Sequence, residues 1–394
     1  MKPFSGIRII DFTQAHAGSL ATMLLADMGA EVVKIERAGS GDLARYWAPF
    51  RGENSGYYAF LNRGKKSVSL DLSKPEGKQA VKALIAGADV VCENFKYGSM
   101  ERMGLTYEEV RAIKPDVIYA SLNGFGQTGP MRRNIGLDLH LQAMGGVMDA
   151  TGFPDGDPVR VGVAFGDHLS GTYMAQAISL ALLERAKTGR GQLIDISILD
   201  ALFSLQREQL AQGAGGPARR GNRSWAHAPC GCYPTADGWL LLYVTRDEQW
   251  RALCAALALD EPAARADLAH NAGRMAHEEE LSQLLGQALA SRPREELEQT
   301  LRAAGVPCAA VRSVAQSMDD PRSQALLAQV DDKALGPVRF PDSHFHIDTI
   351  DTRVTQGAPL RGEHTALYLA QAGYSEEQLA ALVNSGAAET EVRP

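Results

Sequence analysis

Five short runs rich in β-branched residues, separated by helix-like stretches, constrain this chain more than any other feature. Gly6–Phe12 (GIRIIDF), Ala30–Glu36 (AEVVKIE), Ser67–Leu72 (SVSLDL), Asp89–Phe95 (DVVCENF) and Val117–Leu122 (VIYASL) read as strands. Residues 18–28 (GSLATMLLADM) read as a helix closed by Gly29, and a second helix runs from Pro75, suited to a first helical position, to Ala86. Strand–helix–strand units of this kind build parallel sheets through right-handed crossovers. The fold class expected is therefore α/β with an open parallel sheet. Ligands of such sheets lie at the carboxyl ends of the strands. Those ends carry Gln14, His16, Glu36, Arg37, Asn94, Phe95, Lys96 and the loop Asn123–Pro130.

Glu36 ends the second strand, where an acidic residue often holds a ribose, but the first turn (Gln14-Ala15-His16-Ala17-Gly18-Ser19) lacks the GxGxxG pattern that a dinucleotide needs. Arg37, Arg63, Lys65, Lys66, Lys96 and Arg102 gather near the strand ends. They are either solvated surface charges or the lining for a phosphate-bearing ligand. The net charge of −7 argues against general affinity for nucleic acid, so a polyphosphate ligand would need local basicity. Five scattered cysteines fit a reducing cytoplasm better than a disulfide framework, and Cys230-Gly-Cys232 is too closely spaced for a zinc ligand pair. No metal site is expected. Neither a signal peptide nor a bilayer-spanning run is recognisable, so a cytoplasmic location without membrane association is expected.

The stretch Val161–Leu199 reads as strand, sharp turn, helix, turn, strand, with the apolar run 161–165 ending at Gly166-Asp167. The helix is apolar almost all round, which predicts burial, and Gly189 and Gly191 stop it. Asp167 is a natural helix N-cap. The same position would also hold the carboxylate ionised through the helix dipole, and an ionised carboxylate can attack an activated acyl group. Spacing does not choose between cap and nucleophile. Within Arg133–Gly146, Asp138 and Gln142 share a helix face, either bonded to each other or lining a pocket.

After residue 200 the texture changes. Gln212–Arg223 is a glycine-rich basic linker. Trp239–Val244 reads as a strand, and residues 248–258, 278–290 and 294–304 as helices. The expected organisation is a large domain over 1–210, a linker over 211–224, a small α+β domain over 225–325, and a return segment over 326–394 that completes the large domain. The tail after Ser385 reads as frayed.

Several motifs taken together resemble the class III CoA-transferase family, the group of formyl-CoA transferase, carnitine CoA-transferase and α-methylacyl-CoA racemase. They are GIRIIDFTQAHAGSLATMLLADMGAEVVKIE, NRGKKSVSLDLSKPEG, ADVVCENF, SLNGFGQTGP, GLDLHLQAMGG, GDHLSG with ERAKTGRGQLIDISILDA, DGWLLLYVTRDEQW, GVPCAAVRS and PLRGEHT, in family order over nearly the whole chain. The resemblance implies a Rossmann-like large domain, a small domain and an interlocked homodimer whose active site lies between the large domain of one copy and the small domain of the other. It implies Asp167 as nucleophile and CoA contacts at His16, Ala17, Arg37, Leu70, Asn94, Phe95, Lys96 and Arg102. No tightly bound cofactor is implied; CoA and acyl-CoA are substrates, with a small carboxylate as acceptor.

Three positions depart from the family pattern. Ser19 stands where the family usually has proline, and Leu137 where the racemase branch has a histidine base. Only Gly213, Gly215 and Gly216 stand where formyl-CoA transferases carry a glycine run, which disfavours oxalate and formate as substrates. The expected activity is acyl-CoA:carboxylate CoA transfer through an aspartyl-CoA intermediate. The alternatives are an acyl-CoA racemase or epimerase, with His140 or Asp247 standing in as base, and a non-catalytic acyl-CoA sensor or partner subunit.

Overall fold

The computed structural model describes residues 2–213, 219–343 and 346–390. Part of the linker read over 211–224, with Gly215 and Gly216, lies outside the described residues, as do the last four residues of the tail. Two compact units are distinguished by their internal contacts. One comprises Met1–Val147, Val161–Arg207 and Ala325–Pro394, the other Met148–Arg160 and Glu208–Gln324.

The first unit is built on a sheet of β1 (Arg8–Asp11), β2 (Glu31–Arg37), β3 (Lys66–Leu70), β4 (Val90–Glu93), β5 (Ile118–Asn123) and β6 (Gln192–Ser197). These six are parallel in the spatial order 3-2-1-4-5-6. That order reverses direction between β1 and β4, which opens a crevice at their carboxyl ends. The strands are near-continuous apolar runs because both faces are covered. Ile9, Val32, Val90 and Ile118 point to one face and join one core; Ile10, Val33, Val91 and Tyr119 point to the other. The seventh strand corrects the reading of the tail. Ala388–Glu389 pairs antiparallel with β3, so the described residues just beyond Ser385 are tied into the sheet edge.

Helix α1 (Ala17–Asp27) connects β1 to β2 and packs on α2 (Phe165–Thr188). A Cβ on Gly171 would stand 2.4 Å from the Ala17 carbonyl oxygen, so glycine there permits the close approach of the two helices. Two readings of this region need correction. Residues 161–164 form no strand, and the helix begins at Phe165. Nor is α2 buried all round. Met174, Ile178 and Leu182 enter the core, whereas Leu180 and Leu183 are 59% and 57% exposed, because only one side of α2 meets the sheet and α1.

The basic cluster is also reduced. Arg63 and Lys65 are fully buried, Arg63 against Asp27 at 2.7 Å and Lys65 against Asp11 at 3.1 Å. A buried cation is retained only with a partner, so these two are structural. Glu36 is likewise committed: it accepts from Arg45, Ser67 and the Asp42 amide, leaving no edge for a ribose.

In the second unit, Cys230–Thr235, Gly238–Tyr243 and Cys308–Ala310 form an antiparallel sheet. Helices at Asp247–Ala256, Glu278–Leu289 and Arg294–Ala303 cover it around Trp250, Leu253, Leu285 and Leu301. Asp247, read as a stand-in base, is instead fixed by Arg274 and His270, each at 2.8 Å. Among the described residues no helix is long and apolar enough to cross a membrane.

Candidate active site

The crevice between β1 and β4 is closed by a backbone clasp. The Gln14 amide donates to Asn94 Oδ1 and Asn94 Nδ2 donates back to the Gln14 carbonyl, both at 2.8 Å. Next along the chain, Ala15 takes φ 61°, a left-handed conformation unusual for a residue with a Cβ. Its amide donates to Asp42 Oδ1 at 3.1 Å, which helps hold the turn. The turn delivers His16 to the N-terminus of α1 as its N-cap residue. Ser19, in place of proline, does not disturb the helix, which starts regularly at Ala17.

Asp167 sits in the first turn of α2 and is not the cap. The cap residue is Ala164, which offers no side-chain bond. The orphan amides are met from elsewhere: the Gly166 and Asp167 N–H groups donate to Asp138 Oδ1 at 2.7 and 3.1 Å. Asp138 is itself held by Gln142 Nε2, which donates to Oδ2 at 2.6 Å, and Gln142 Oε1 accepts from the Val161 amide at 3.0 Å. Of the two roles left open for the Asp138–Gln142 pair, mutual bonding is the one observed, and through it the pair supports the turn that presents Asp167.

The Asp167 carboxylate receives no hydrogen bond from any described residue. Burial, and then the Asp138 charge, push it up to about 7. Desolvation and a like charge thus oppose the helix terminus, which favours the ionised form. The sign follows directly. A carboxyl group acts as a nucleophile only when ionised, so any reaction that used Asp167 in this way should slow as pH drops below about 7. Asp138→Asn removes the like charge while an amide oxygen remains to accept from the helix N–H groups. The acid limb of kcat/KM should then move to lower pH; a limb that stays in place would separate Asp138 from Asp167 electrostatically.

Two aromatic residues that sequence reading passed over complete the site. The Tyr57 hydroxyl bonds His16 Nδ1, and the Tyr57 ring lies edge-on to Trp47 at 5.5 Å. Burial, Asp167 and Asp138 raise the Tyr57 phenol to about 12. His16 is lowered to about 4 by burial and by His168, whose ring centre is 6.3 Å away.

The other expected contacts are spread along the strand ends. Ala17 is buried in the first turn of α1, and Arg37 ends β2 exposed, in register with Leu70. The Leu70 side chain is in the core, so only its backbone is available to a ligand. Phe95 packs partly on the same core, while Lys96 and Arg102 are exposed, with Arg102 donating to Ser99 Oγ at 3.0 Å. Lys96 lines a cavity of ≈ 330 Å³ with Glu93, Tyr97, Tyr107 and Ser121. Among the described residues no group of three or more histidine, cysteine or acidic side chains is placed to hold a metal ion.

A family model described as CoA-transferase family III matches residues 4–365. The chain is 38% identical over 381 residues to a succinate–glutarate CoA-transferase of Agrobacterium fabrum, covering 94% of this chain and 95% of that protein. It is 39% identical over 328 residues to an acetyl-CoA:oxalate CoA-transferase of Acetobacter aceti, covering 82% and 84%. Among solved structures, a CAIB/BAIF family protein from Brucella suis matches with a TM-score of 0.85 and 34% identity, covering 94% of this chain and 99% of that one.

Proposed function

The chain belongs to CoA-transferase family III, and from that we propose that it moves CoA between an acyl-CoA thioester and a dicarboxylate, with Asp167 as the group that carries CoA in transit. The relative named for succinate and glutarate supports that acceptor class, and the relative named for oxalate keeps oxalate within it, against the expectation drawn from the short glycine run. The observation that carries the assignment of Asp167 is its carboxylate. Buried Asp11 and Glu36 are spent on hydrogen bonds and cations, whereas no described residue donates to the Asp167 carboxylate, which stands at a helix terminus with its charge felt at Tyr57.

The chemistry follows from a carboxylate in that position. An Asp167 oxygen attacks the thioester carbonyl, the C–S bond breaks, and CoA leaves as thiolate, giving a mixed anhydride. The thiolate attacks the aspartyl carbonyl and expels the donor carboxylate, giving an aspartyl-CoA thioester. The acceptor carboxylate attacks that thioester and expels CoA as thiolate, giving a second mixed anhydride; the thiolate then attacks the acceptor's carbonyl, which forms the new acyl-CoA and releases the Asp167 carboxylate. Each exchange conserves the thioester free energy. Partial burial limits water, which would hydrolyse the anhydride.

Arg37, Lys96 and Arg102 are assigned to the nucleotide end of CoA. Each charge-assisted phosphate contact contributes about 1.5–3 kcal/mol, so each alanine variant should weaken CoA binding about tenfold or more in titration calorimetry. Unchanged affinity in all three would move the coenzyme elsewhere. A homodimer is assigned as well, supported by the exposed Leu180 and Leu183 on α2. The function is tested by mixing succinyl-CoA with glutarate, oxalate and other small dicarboxylates and following the new acyl-CoA. Transfer to none of them, or rapid α-deuteration of a 2-methylacyl-CoA without transfer, would displace this reading.

A further inference from the structure

His16 Nε2 is a buried ring nitrogen with no hydrogen-bond partner among the described residues. Such atoms are uncommon, because an unmet polar group away from water costs stability. The rest of the ring is fixed. Ala15 in its left-handed turn and the Gln14–Asn94 clasp set the backbone, and Nδ1 is bonded to the Tyr57 hydroxyl. Trp47 packs on Tyr57 and constrains the phenol in turn.

The direction of the Tyr57–His16 bond decides what Nε2 offers. Burial and the two nearby carboxylates keep Tyr57 a phenol, and burial keeps the His16 ring neutral at physiological pH. A phenol is the stronger donor and an imine nitrogen the stronger acceptor, so the Tyr57 O–H donates to Nδ1. A neutral ring that accepts at Nδ1 carries its one hydrogen on Nε2. The orphan atom is therefore a buried, preset N–H donor, on a ring bonded to the Tyr57 that feels the Asp167 charge and close to the Asp138 that caps the Asp167 amide.

Resting on the transfer reading above, we propose that His16 Nε2–H is an oxyanion donor, and that Tyr57 is the positioning residue that fixes its tautomer. When Asp167 attacks, the O–C bond forms and the carbonyl π pair moves onto oxygen. His16 hydrogen-bonds that oxygen without giving up its proton. The C–S bond then breaks with its electron pair leaving on sulfur. A neutral donor suits a reaction that forms and consumes an anhydride: an imidazolium would protonate the departing thiolate, which must return as a nucleophile. The role differs from a coenzyme contact, which would bind ground state and transition state alike.

Removing one such donor costs about 10²–10³-fold in kcat. His16→Leu should show that loss with KM for acyl-CoA changed less than about threefold, and His16→Gln, which restores an N–H donor, should recover most of it. Tyr57→Phe should lower kcat by about tenfold, and should add little in the His16→Leu background. A raised KM with unchanged kcat in His16→Leu would make His16 a coenzyme contact and overturn the proposal. A second arm needs neither turnover nor a stable leucine variant. In ¹⁵N-histidine-labelled wild-type protein, His16 should be the neutral Nε2–H tautomer from pH 6 to 8, and Tyr57→Phe should mix the tautomers. An Nδ1–H tautomer or an imidazolium in the wild type overturns the proposal even if CoA transfer stands; absence of transfer with the Nε2–H tautomer present would overturn the reaction assignment instead.

Discussion

Asp167→Asn is expected to lower CoA transfer by about 10³-fold or more while the protein stays folded, since each tenfold is about 1.4 kcal/mol of barrier. The amide is nearly isosteric, and its backbone N–H keeps the bond to Asp138, so the turn at the start of α2 should persist. What is lost is the carboxylate proposed as nucleophile. The same substitution should raise stability at alkaline pH. Between the ordinary aspartate value of 3.8 and about 7, folded Asp167 retains a proton that the unfolded chain has released. Wild-type stability therefore falls as pH rises through that window and is level above it. Discounted for the partial exposure of the group, asparagine should be more stable by about 1–2 kcal/mol at pH 8, with the gap closing toward pH 4. Denaturant unfolding at both pH values checks this. A variant that keeps near-wild-type transfer would reduce Asp167 to a structural residue.

The second large effect is expected in the core beneath the turn that carries His16. Lys65→Met should destabilise the fold by about 3–5 kcal/mol, because it leaves Asp11 buried without its nearest cation. Asp11 is more than half of an ion pair. It also accepts from the Thr13 amide and hydroxyl at 2.9 and 2.5 Å and from Thr22 Oγ1 at 2.8 Å. Thr13 begins the turn that delivers His16, so the loss should reach the site as well as the core. Replacing both partners, Asp11→Asn with Lys65→Met, should recover part of the stability, since no uncompensated charge remains. A loss below about 1 kcal/mol in Lys65→Met, measured by urea unfolding, would mean that Lys34, which also faces Asp11, suffices alone.

The alternating pattern of the first 122 residues was enough to specify the parallel sheet and the edge at which ligands belong. Apolar residues on both faces of β1, β2, β4 and β5 leave few other folds that could bury them. Arg63 and Lys65 were misplaced because a charge beside an apolar run looks the same whether it meets solvent or a buried carboxylate. Lys34 offered a clue, as a lone cation inside the run AEVVKIE, and it proves to be paired with Asp42 at 2.7 Å. The start of α2 was hidden for a different reason. Its cap is supplied by Asp138, 29 residues back, so the local sequence carries no cap signal and VGVAF could pass for a strand.

The site was legible in part. Asp167, His16 and Asn94 stand at element boundaries where chemistry gathers, and the family motifs mark them. Trp47 comes from irregular chain and Tyr57 from the seven-residue helix Gly56–Asn62, too short to read from its period, and only tertiary packing brings Tyr57, with Trp47 against it, to His16. Asn94 was expected to face CoA, yet its side chain is engaged on both sides with the Gln14 backbone. A position can recur in a motif because it shapes the loop that meets the ligand.

The proposed reaction turns on a covalent link between Asp167 and CoA. Borohydride reduces thioesters but leaves free carboxylates intact, so it can trap that link. Protein preincubated with succinyl-CoA and then reduced should lose activity and carry an alcohol at residue 167 in peptide mass spectra, and neither change should occur without the thioester. Modification confined to another acidic residue, or full activity after the same treatment, would contradict the assignment of Asp167 as the residue that carries CoA.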